Sequence, residues 1–87
     1  MSKHEWREPA EDGDVRLVTA TRQSARWTLR SRLKSESEWT EHQPIDLDDL
    51  ESLREVLWNK HQRRRVPYEF IGEIDRLIDA AREDRGQ

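Results

Sequence analysis

Six basic residues, Arg16, Arg22, Arg26, Arg30, Arg32 and Lys34, occupy even positions between Val15 and Ser35, a stretch with no acidic residue. In an extended chain, side chains two apart share a face, so this spacing predicts a row of cations on one side of a sheet. Such a row can track a phosphate backbone or accept an acidic peptide. Nucleic-acid binding of this kind also calls for exposed aromatic rings as stacking platforms. Trp27, the aromatic residue between these cations, has the opposite parity. An ordinary solvated face that guards a sheet edge accounts for the same charges.

A second basic cluster, Lys60, Arg63, Arg64 and Arg65, lies beside His61. Its position at the end of a helical pattern gives it a structural reason, because cations complement the negative end of the helix dipole. His4, His42 and His61 lack the spacing of metal ligands. Asp46, Asp48 and Asp49 are explained by helix capping and dipole complementarity, and Glu69, Glu73 and Asp75 by a solvated helix face. Ser24, Ser31 and Ser52 sit in no nucleophile elbow, there is no Cys, and three Gly leave no phosphate-cradling loop. No enzymatic activity, metal or cofactor is expected.

The elements that must position these residues follow from periodicity. Val15 to Lys34 alternates as two strands, with Val15, Leu17, Thr19, Trp27, Leu29 and Leu33 sharing the odd, inward face. Pairing odd with odd requires an odd loop, either Gln23–Ala25 or Thr21–Ala25, and excludes a two-residue turn. Val18 and Ala20 then fall outward, where they offer an association surface. Weak alternation through Ser35, Ser37 and Trp39 then leaves two readings, a long second strand or a short third strand around Glu38–His42. The poor stability of a lone ribbon favours the third strand.

Asp46 opens the first helix, with Ile45 and Leu50 placed as a hydrophobic staple. Leu47, Leu50, Leu53, Leu57 and Trp58 fall within about 140° of arc, the stripe of a core-facing helix. Val66-Pro67 ends it, and Pro67 suits the first position of a second helix. There Phe70, Ile71, Ile74, Leu77, Ile78 and Ala81 share about 120° of arc. The short connection predicts antiparallel helices.

Of the 87 residues, 32% are apolar and 40% charged, close to the border with disorder. A net charge of only −3, with four Trp, eight Leu and four Ile, favours folding. No apolar run reaches the roughly 18 residues of a membrane span, and no signal-peptide core is present, so the expected location is cytoplasmic, without membrane association. The reading is an α+β fold, a β-hairpin or three-stranded meander packed on an antiparallel two-helix hairpin. Residues 1–14 form a flexible polar and acidic tail, and residues 15–85 a single domain. The expected function is a small non-enzymatic binding or regulatory module that engages a protein partner or a second copy of itself. The alternative is nucleic-acid binding through the cationic hairpin face.

Overall fold

The computed structural model describes residues 1–85 and, for Arg85, the backbone alone. It shows a four-stranded antiparallel sheet followed by two helices, an α+β arrangement. The chain divides into two compact units, Met1–Pro44 and Ile45–Gln87.

The first unit is the sheet, with strands β1 (Ser2–Pro9), β2 (Val15–Gln23), β3 (Arg26–Leu33) and β4 (Thr40–Glu41) in sequential order. Residues 1–14, expected to be a flexible tail, instead supply β1, paired with β2 from Ser2 opposite Arg22 to Pro9 opposite Val15. Composition hid this strand. Only Trp6 in Ser2–Pro9 is large and apolar, yet burial alternates, and His4 is 3% exposed. His4 is held by its Nε2 contact with the Ser2 hydroxyl at 2.8 Å and by the Trp27 ring at 5.7 Å between centroids. A polar strand of this kind depends on its ladder and on satisfied side chains more than on apolar period. One 3₁₀ turn, Glu11–Gly13, joins β1 to β2. Gly13 stands there at φ 76°, a left-handed conformation open to glycine without steric cost.

The register of the hairpin reverses the expectation for β2. Ser24 and Ala25, at φ 52° and 63°, form a two-residue turn that sets Gln23 opposite Arg26 and Leu17 opposite Arg32. Positive φ at both central residues matches the twist of a type I′ turn to that of the strands, which compensates for the absence of Asn or Gly. Even positions of β2 therefore share a face with odd positions of β3. Val18, Ala20, Trp27, Leu29 and Ser31 are buried on it, while Leu17 and Thr19 lie on the other face, half-buried. Val18 and Ala20 are core residues, not an outward association surface. The third strand expected near Glu38–His42 is present as β4, opposite Arg30 and Ser31.

The second unit is a helical hairpin of α1 (Leu47–Gln62) and α2 (Tyr68–Arg85). Asp46 stands at the N-cap and its carbonyl accepts the Leu50 amide at 2.9 Å, but its side chain makes no capping bond. Leu50, Leu53 and Leu57 are buried, as are Phe70, Ile71, Ile74 and Ile78, so the stripes read by period form the core. Trp58 and Leu77, at the stripe edges, remain 40% and 38% exposed. Arg54 pairs with Asp75 at 2.5 Å, both near the middle of their helices, and Arg82 late in α2 pairs with Glu51 early in α1 at 3.4 Å. Amides of Arg63 and Arg65 return to the Lys60 carbonyl and that of Arg64 to His61, with Arg64 at φ 61° closing the helix end. No helix among the described residues is long and apolar enough to cross a membrane.

Candidate protein-interaction face

The register divides the six hairpin cations. Arg16 and Arg22 point to the buried face of the sheet; Arg26, Arg30 and Arg32 share the outer face; Lys34 lies past the end of β3, exposed. The single row of six is thus corrected to three on one face, because a two-residue turn couples opposite parities in β2 and β3. Arg16 has a structural task. Its Nη1 donates to Glu8 at 2.9 Å, and the other oxygen of Glu8 accepts the Trp6 indole N–H at 2.9 Å. Arg22 is half-buried between Ser2 and Trp27 on the flanking strands.

In exchange, β1 adds Lys3, Glu5 and Arg7 to the outer face. Pairing then defines three rows across the strands: Arg7–Leu17–Arg32, Glu5–Thr19–Arg30–Glu41 and Lys3–Thr21–Thr28. The middle row balances its own charge, since Arg30 lies 3.6 Å from Glu41. In the third, Lys3 lies 3.6 Å from Glu5, its neighbour along β1. Uncompensated charge is left on Arg7–Leu17–Arg32 and on Arg26, which stands opposite Gln23 at the turn end of β3. Strand spacing puts the row's two arginines about 10 Å apart with a half-buried leucine between them. Arg7 has no side-chain partner among the described residues.

Arg32 is fixed in place. Its Nη1 donates to the Glu36 carbonyl at 2.5 Å, with longer contacts to those of Leu33 and Lys34 at 3.4 Å, and its guanidinium lies 5.2 Å from the centre of the Trp39 ring. Trp39 is 45% exposed, so the row ends in an aromatic surface stacked on a cation. Reading the hairpin alone missed Arg7 and Trp39. The charge alternation Lys3, Glu5, Arg7 was the available signal for the first.

Beside the face, Ser35 donates to Asp14 at 2.5 Å and the Val15 amide does so at 2.8 Å. These bonds, the serine's first, hold the Asp14 carboxyl below its ordinary 3.8. Ser31, 6% exposed, shares a 2.6 Å hydrogen bond with His42 Nε2. That contact satisfies a buried hydroxyl and does not present a nucleophile to solvent. Among the described residues no group of three His, Asp or Glu is arranged to hold a metal ion.

Of the second basic cluster, Lys60 is half-buried, whereas Arg63, Arg64 and Arg65 are exposed and have no side-chain partner among the described residues. His61 Nδ1 donates to the Val66 carbonyl at 3.0 Å, and its ring contacts Trp58 and Tyr68. Compared with protein-family models, curated proteins and solved structures, the chain finds no match.

Proposed function

We propose that this protein is a small non-enzymatic binding module whose outer sheet face receives an acidic segment of a partner protein. The observation that carries the reading is the Arg7–Leu17–Arg32 row, which ends at the exposed Trp39. Arginine and tryptophan dominate the energetics of protein interfaces, and a preset guanidinium binds a carboxylate in two-point fashion with little entropy lost. The threonines beside the row offer hydroxyls to an extended peptide. Dividing the cations between two faces weakens a phosphate-backbone reading, because only one aromatic ring and few unpaired cations remain on the outer side.

The test is fluorescence anisotropy of labelled polyglutamate and of a labelled single-stranded oligonucleotide, titrated with the full chain. Polyglutamate should bind with salt-sensitive affinity and lose about tenfold or more on Arg7→Glu, a change that removes no contact within the fold. Binding indifferent to Arg7→Glu, or tighter binding of the oligonucleotide, would overturn the proposal.

A further inference from the structure

The exposed side of α1 is polarised along its length. Glu51, Glu55, Trp58 and Gln62 lie within about 60° of arc and all four are exposed. On the α2 side Glu51, Glu55 and Trp58 border a groove of about 580 Å³ to which Arg54, Asp79 and Arg82 also contribute. Arg54 and Arg82 are taken up by Asp75 and Glu51, whereas Glu55 and Asp79 have no side-chain partner among the described residues. Past the C-terminal end of the same stripe come the unpartnered Arg63, Arg64 and Arg65. Between the acidic and basic ends runs an aromatic chain, Trp58 to His61 at 5.9 Å and His61 to Tyr68 at 5.6 Å. Trp58 and Tyr68 are 40% and 55% exposed.

We infer that this strip is a self-complementary interface at which two copies of the chain associate about a two-fold axis. A surface acidic at one end, aromatic in the middle and basic at the other matches itself when turned end for end. With α1 antiparallel to its counterpart and the axis midway between Trp58 and His61, Glu55 of each copy faces Arg64 of the other. Trp58 then covers His61 of the other copy, beside which Tyr68 lies. The exposed tryptophan supplies the central anchor and the paired charges form the rim. A nucleic acid fits the strip poorly, because Glu55 and Asp79 would repel phosphates from the Trp58 ring.

Sedimentation equilibrium on the full chain tests the inference, with oligothymidylate titrated in parallel. The expected mass is twice 10.5 kDa, weakening as salt rises. Glu55→Arg and Arg64→Glu should each raise the dissociation constant about tenfold or more, and Trp58→Ala likewise. The double exchange Glu55→Arg with Arg64→Glu should restore the dimer, a rescue that damage to the fold cannot imitate. A monomer at every concentration overturns the inference. So does a dimer indifferent to these changes, or oligothymidylate binding that Arg64→Glu abolishes without any change in mass.

Discussion

The helical hairpin and the sheet keep their interiors together by different means. In the hairpin the buried side chains, apart from Asp49 in the first turn of α1, are aliphatic or aromatic: Leu50, Leu53, Leu57, Val66, Phe70, Ile71, Ile74 and Ile78. Each fully buried side chain of this type contributes about 1.5–3 kcal/mol. The buried face of the sheet instead mixes Val18, Ala20, Trp27 and Leu29 with His4 and Ser31, whose polar atoms are hydrogen-bonded to Ser2 and His42. One region tolerates error in detail because apolar area is non-directional. The other depends on each residue facing the correct way.

The sharpest way to break that contrast is a charge at the centre of the sheet. Ala20, fully buried between His4 and Leu29 on the adjacent strands, should not accept glutamate. Ala20→Glu is expected to cost about 4 kcal/mol or more, enough to unfold the sheet in urea titrations followed by circular dichroism. Leu17→Glu, one pleat over and between two arginines, should stay within about 1 kcal/mol. The reverse order would restore the odd-with-odd register.

Next in size is the aliphatic interior of the hairpin. Leu53→Ala should lower unfolding stability by about 2–5 kcal/mol, according to how far the cavity collapses. A loss well under that range would mean the α1 stripe is not packed.

The turn between β2 and β3 should respond in the opposite direction. Replacing Ser24-Ala25 by Asn-Gly supplies residues suited to left-handed backbone and should raise the denaturation midpoint, by about 1 kcal/mol in stability. No gain, or a loss, would speak for a longer loop.

The smallest effect concerns Asp14. Because the Ser35 hydroxyl lowers the folded-state pKa of this carboxyl, the associated stability is present above the ordinary 3.8 and fades as pH falls through the lowered value. Ser35→Ala should move the Asp14 carboxyl titration, followed by NMR, up toward 3.8. The stability difference between the two proteins should be constant near neutrality and vanish in acid. A titration unchanged by the substitution would remove Ser35 as the cause.

The candidate face shows how far residue identity carries and where it stops. Arg26, Arg30 and Arg32 alternate within one strand, and their shared outer face was legible because parity inside a strand needs no partner. Arg16 and Arg22 belong to another strand, and their face depended on the turn. In β2 the two parities are nearly matched in apolar content, Val18 and Ala20 against Val15 and Leu17, so alternation could not choose between them. Arg7 and Trp39 could be placed only once β1 and the segment after β3 were seen against the sheet.

What the sequence determined by itself is whatever depends on near neighbours. The two helices, their limits near Asp46 and Pro67, and their buried stripes follow from a period that one chain segment carries within itself. The tertiary structure decided the sheet's register, the recruitment of Ser2–Pro9 as a strand and the sorting of cations onto opposite faces. Those outcomes hang on hydrogen bonds between residues distant in sequence and on two left-handed residues in a turn. Neither leaves a hydrophobic period in the residues that make it.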